Sequence, residues 1–149
     1  MDILLNLIMT PSVARNEIDQ LGASLRRIDQ KLLASETHLG GERVWYQGGE
    51  PYFDLFVELH QEQILWFQMT LRGSVLSWKR TDGEENGAWQ TGKTNELKTD
   101  DVSFYAASKL IERDREPNRA FLELARDILK TRAGDDIFDG ILEIFARSR

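Results

Sequence analysis

Asp54, Glu58 and His60 recur at even spacing in one short stretch, which places two carboxylates and an imidazole on one face of a β-strand. Carboxylates so arranged are candidates for acid–base work of the glycosidase type, with the imidazole as a further proton carrier. A second pattern lies at Gly87-Ala88-Trp89-Gln90-Thr91-Gly92-Lys93-Thr94, which satisfies G-x-x-x-x-G-K-T. In a true phosphate loop, backbone N–H groups wrap the phosphates, the lysine neutralises charge and the threonine holds magnesium. The context here is wrong. The acidic run Asp82 to Asn86 precedes the pattern where a buried apolar strand should be. The residues after it, Asn95 to Asp101, open no convincing helix and crowd the anion with acids. The stretch is expected to be a hairpin strand that leads into a surface loop.

Other chemistries find little support. No helix carries H-x-x-x-H or H-E-x-x-H, and His38 and His60 fall in separate regions, so no metal ligands are assigned. A nuclease that joins an aspartate to an E-x-K strand is excluded by Gln68-Met69-Thr70 at the expected place. No serine sits in a nucleophile elbow. The absence of cysteine excludes disulfides and thiolate chemistry. No catalytic or cofactor-binding residue is assigned. The enzymatic alternative is a small-ligand binder or hydrolase that gathers Asp54, Glu58 and His60 in a cleft, where their carboxylate pKa values would be shifted.

The elements that position these residues are legible from periodicity. Phe53, Leu55, Val57 and Leu59 alternate with polar residues; so do Leu65, Phe67, Met69 and Leu71, and then Leu76 and Trp78. Period two marks strands with one face buried. The expected pairing sets Leu59 opposite Leu65, Val57 opposite Phe67 and Leu55 opposite Met69 around a loop of Gln61-Glu62-Gln63. Gly73-Ser74 suits a type II′ turn that would pair Leu71 with Leu76 and Met69 with Trp78. Sliding by one residue would bury Glu58 and Asp54 among the aliphatic side chains, a cost at every pair.

The same register assigns the opposite face. It carries Tyr52, Asp54, Phe56, Glu58 and His60, then Ile64, Trp66, Gln68, Thr70 and Arg72, then Val75, Ser77 and Lys79. A face meant only for water rarely combines tryptophan, phenylalanine, tyrosine and isoleucine, whereas contact surfaces use large rings flanked by charge. Three fates are open to it: cover by the last helix or by residues 102–111, docking of a protein, or a small-ligand cleft.

Around the meander, Pro11 starts a helix, with Thr10 as its cap. Ala14, Ile18, Leu21, Leu25, Ile28 and Leu32 then form a narrow apolar stripe. That stripe is expected to pack on the meander, with homodimerisation through Ile18, Leu21, Leu25, Ile28 and Leu32 as the alternative. A first strand covers Arg43 to Gln47, and a short strand around Ala88 to Thr91 follows the acidic turn. Pro117 begins a helix with Phe121, Leu122, Ala125, Ile128 and Leu129 inward. Asp135-Asp136 caps a last helix that turns Ile137, Phe138, Ile141, Leu142 and Phe145 inward. Residues 94–116 give no clear reading. The fold class expected is a single α+β domain over residues 1–149: an N-terminal helix, a four- or five-stranded antiparallel meander and two C-terminal helices.

Composition agrees with that class. The chain has 149 residues, 41% hydrophobic and 30% charged, enough for one core and typical of an ordered domain. A formal net charge of −6 with scattered basic residues disfavours a nucleic-acid partner. Met1 to Met9 is apolar but short and carries Asp2, so neither a signal peptide nor a membrane span is expected, and the expected location is cytoplasmic. The run Tyr52-Phe53-Asp54-Leu55-Phe56-Val57, with Trp66-Phe67-Gln68-Met69 and Ser108-Lys109-Leu110-Ile111, resembles small uncharacterised bacterial proteins that carry a Y-F-D-L-[YF]-V strand and a following F-Q strand. The resemblance implies a bacterial single-domain protein and supplies no activity or site. The reading favoured is a non-enzymatic protein-interaction module, an inhibitor or accessory subunit. It would bind through Tyr52, Phe56, Trp66 and Arg72, with Asp54 and Glu58 as charge partners and the acidic 81–87 loop beside them. A third reading is a structural subunit assembled through the N-terminal helix.

Overall fold

The computed structural model describes residues 13–28, 41–81, 87–94 and 111–148. Helix α1 (Arg15–Ser24) leads into strands β1 (Arg26–Ile28), β2 (Glu42–Gln47), β3 (Asp54–His60), β4 (Gln63–Leu71), β5 (Ser74–Arg80), β6 (Gly87–Thr94) and β7 (Ile111–Arg113), followed by helices α2 (Arg119–Lys130) and α3 (Asp136–Arg147). The strands form one seven-stranded antiparallel sheet in chain order. The α+β class and the meander stand. The strand count exceeds the expected four or five, because β1 and β7 are too short for alternation to declare itself.

The inward face is where periodicity placed it. Val44, Val57, Phe67, Trp78 and Trp89 follow one another across β2 to β6, and beside them run Tyr46, Leu55, Met69, Leu76 and Thr91. Phe67, Leu55 and Val57 are inaccessible to solvent. Phe67 stacks on Trp78 at 6.0 Å and meets the edge of Trp89 at 5.7 Å. Helices α2 and α3 close over this side through Phe121, Ala125, Ile128, Leu129, Phe138, Ile141 and Ile144, all in one hydrophobic cluster with the sheet. Full burial of each large side chain contributes roughly 1.5–3 kcal/mol, so these rows dominate the stability of the domain.

Both hairpins differ from expectation in detail and agree in side. The β3–β4 turn is Gln61-Glu62, with φ of 51° and 68°, the type I′ geometry that matches strand twist even without glycine. A bulge between Glu58 and Leu59 absorbs the missing residue, so Leu59 pairs with Ile64 rather than Leu65. Ile64 is thereby turned to the inward side and buried against α3, where Gly140 leaves it room. The β4–β5 turn is Arg72-Gly73, again with positive φ at both residues, not Gly73-Ser74. Met69 therefore pairs with Leu76 and Phe67 with Trp78. This is a shift of two, which keeps every side chain on its face.

Helix α1 is shorter than its apolar stripe. It ends at Ser24, and Leu25 is already extended. The Arg132 guanidinium donates to the carbonyls of Gly22 and Leu25 at 3.0 and 2.6 Å, and Gly49 N–H donates to Ser24 Oγ at 2.9 Å. Those bonds satisfy the helix end and release the chain into β1. Gly22 permits the close approach of α1 to α2, since a Cβ there would collide with Thr131 Oγ1. Ile18, Leu21 and Leu25 are buried in the chain's own core and Ile28 is half-buried in β1; Leu32 lies outside the described residues.

The C-terminal helices begin at side-chain caps. Helix α2 begins at Arg119, two residues after the expected Pro117, with Asn118 as its cap accepting from Phe121 N–H at 3.1 Å, and Asp135 caps α3 by accepting from Ile137 N–H at 2.9 Å. Thr91 ties the sheet to α2: its hydroxyl donates to Asp114 Oδ2 at 2.6 Å and accepts from Asn118 N–H at 2.8 Å.

Tyr46, buried edge-on to Phe138 at 4.9 Å, gives the core a pH dependence. Burial first, and then the Asp135 carboxylate, raise its phenol above the ordinary value of 10.0. Above that value the unfolded chain releases a proton that the folded chain retains, so stability falls as pH rises through the folded pKa. Urea midpoints measured over about pH 9 to 11 are expected to decline, and Tyr46→Phe to flatten the decline. An equal decline in the variant would contradict this.

Candidate functional site

The face opposite the helices is organised by rows across the strands. Arg43, Glu58, Trp66 and Lys79 form one row; Trp45, Phe56, Gln68 and Ser77 form the next; Gln47, Asp54, Thr70 and Val75 form a third. Glu58 opposite Trp66, Phe56 opposite Gln68 and Asp54 opposite Thr70 are the pairings expected from sequence.

Arg43 and Trp45 convert these rows into a cluster. The Trp45 ring stacks on Phe56 at 5.6 Å and 12° between planes. Its indole N–H donates to Asp54 Oδ1 at 2.9 Å, a diagonal bond that fixes the ring's tilt. The Arg43 guanidinium lies 5.1 Å from the Trp66 ring centre and 5.9 Å from that of Phe56. Glu58, whose side chain is wholly buried, faces the same guanidinium at 3.4 Å. A cation over aromatic faces gains about 0.5–2 kcal/mol, more as water is excluded. Breaking a buried ion pair costs about 3–5 kcal/mol, so Glu58 fixes Arg43 where it lies.

The six residues singled out from sequence thus have different surroundings. Phe56 and Trp66 are half-buried members of the cluster, and Asp54 and Glu58 bond to Trp45 and Arg43 within the chain. Tyr52 is exposed at the turn before β3, with φ of 62°, and its carbonyl accepts from Thr70 Oγ1 at 3.0 Å. Arg72 does not lie in a strand beside Tyr52. From the β4–β5 turn it reaches Glu50 at 2.8 Å and Glu17 at 2.7 Å, joining that turn to α1 and to the β2–β3 connection. Arg43 and Trp45 were the omissions from the sequence reading. Their signal was available, since both alternate with buried Val44 and Tyr46.

Asp54, Glu58 and His60 lie along one face of β3 in different surroundings. Glu58 is enclosed, while His60 is exposed at the end of β3, paired with Gln63. Two cavities, of about 300 and 550 Å³, lie on the helical side, and neither includes Asp54, Glu58 or His60 in its lining. Gly87 to Thr94 is extended throughout as β6, paired on both sides, and forms no phosphate-wrapping loop. Among the described residues no group of three or more His, Cys, Asp or Glu is placed to hold a metal ion. Nor is any helix among them long and apolar enough to cross a membrane. No family model, curated protein or solved structure matches the chain.

Asp54→Ala is expected to cost about 1–2 kcal/mol in urea unfolding by removing the acceptor of the Trp45 indole. Trp45→Phe should then cost less in that background than alone. Additive costs would show that the bond does not hold the ring.

Proposed function

We propose that the protein is a non-enzymatic interaction module, an inhibitor or accessory subunit that docks a protein through the Arg43–Trp45–Phe56–Trp66 face. The observation that carries this reading is the cluster itself. Three rings and a guanidinium are organised on the side of the sheet opposite α2 and α3, outside the hydrophobic cluster of the described residues. Tryptophan and arginine are the residue types in which contact energy concentrates, because rings give large area at small entropic cost and the guanidinium offers planar, multidentate donation.

Within this reading the acids have a different role from the one expected of charge partners. Asp54 and Glu58 pre-organise Trp45 and Arg43, which reduces the ordering cost of binding. Tyr52 and Arg72 stand at the exposed margin of the face. The acidic run, residues 82–86, lies outside the described residues. A bacterial, cytoplasmic setting fits the reading, as does a cysteine-free chain with net charge −6.

The test is affinity capture followed by mass spectrometry, with a partner then purified for titration. Trp66→Ala, checked for retained circular dichroism, is expected to weaken that partner by about 30-fold or more, the size of an interface hot spot. Unchanged capture and affinity would count against this face.

A further inference from the structure

The groove of about 550 Å³ beside β6 is bounded on one side by a single stripe of α2. Arg119, Leu122, Glu123 and Arg126 stand at i, i+3, i+4 and i+7, and Glu116 extends the stripe before the first turn. The opposite stripe of the helix, Phe121, Ala125 and Ile128, is committed to the core. Across the groove stand Trp89 and Phe145, half-buried rings with centres 4.8 Å apart. Glu116, Arg119 and Glu123 are exposed, and Arg126 is half-buried. Its Nε is closed off by the chain itself, so a partner meets only the outer, Nη end of that guanidinium. None of the four charges forms an ion pair among the described residues. Asp127 and Lys130, the other charges of this part of α2, lie outside the lining.

Along the groove the charges run acid, base, acid, base. Such a surface has no net charge with which to attract a strongly acidic or basic partner. What complements it at every position is the same order reversed. A second copy of the chain presents that reversed order when turned end for end about a two-fold axis, because in an isologous contact residue i meets j while j meets i. With the axis level with Phe121, midway between Arg119 and Glu123 along the helix, each Arg119 faces the partner's Glu123 and each Glu116 faces the partner's Arg126. Leu122 then lies beside the axis, and the Trp89 and Phe145 rings supply apolar area for the centre of the contact. A parallel arrangement would set like charges together, which costs affinity.

We propose that this groove is a contact between two copies of the chain, an antiparallel two-fold pairing of α2 that joins Arg119 to the partner's Glu123 and Glu116 to the partner's Arg126. The site lies on the helical side of the sheet and does not depend on the contact face described above.

Sedimentation velocity on the whole chain, at concentrations up to about 1 mM, is expected to show a monomer–dimer equilibrium. Arg119→Glu opposes acids across the axis and Glu123→Arg opposes bases. Each is expected to weaken dimerisation by about tenfold or more, with circular dichroism unchanged. Mixed in equal amounts, the two variants regain opposite charges at both positions, and a heterodimer as tight as the parent dimer is expected. A chain that stays monomeric throughout would overturn the proposal. So would a dimer indifferent to either substitution, variants that remain apart when mixed, or capture of a different protein on this groove by a monomeric chain.

Discussion

The row of Val44, Val57, Phe67, Trp78 and Trp89 crosses five strands, and its burial beneath α2 and α3 constrains everything else in the molecule. Strand side chains alternate strictly, so committing one row to the interior commits its neighbours to the other side. Arg43, Trp45, Phe56, Glu58 and Trp66 lie where they do because their neighbours could not be left in water. The cluster on the second face follows from the core as a geometric consequence, and only its residue types call for a functional explanation.

The turns serve the same constraint. At Glu58/Leu59 the chain accepts a bulge, and at Gln61 and Glu62 it accepts left-handed backbone without glycine, so that Val57 and Phe67 remain paired. Strain in a left-handed non-glycine residue is small beside the cost of exposing a row of aromatic and aliphatic side chains. The second hairpin shifts by two rather than one for the same reason. The one odd step falls at the bulge, at the end of the first hairpin, where Ile64 takes the inward place expected of Leu65; the paired core rows beyond it keep their faces.

Much of this was legible in the sequence. Alternation identified the inward residues of β3, β5 and most of β4, and the cap of α3 announced itself through Asp135, whereas the cap of α2 is Asn118, one residue past the Pro117 at which the helix was expected to begin. What escaped depended on contacts distant along the chain. Helix α1 stops at Ser24 because Arg132, far along the sequence, takes the carbonyls of Gly22 and Leu25. The apolar spacing from Ile18 to Ile28 holds no trace of that bond. Ile64 read as an outward residue until the bulge reversed it. Asp54 and Glu58 read as free charges because Trp45 and Arg43, their partners, belong to a strand whose other face alone had drawn notice.

The direction of the middle-strand side chains is open to direct measurement by hydroxyl-radical footprinting with residue-level mass spectrometry on the native protein. Oxidation is expected at Tyr52 and, to a lesser degree, at Trp66 and Phe56, with Phe67 and Trp78 protected until the chain unfolds. Labelling of Phe67 and Trp78 in the folded protein, with Trp66 and Phe56 silent, would contradict the assignment of faces on which the proposed contact surface rests.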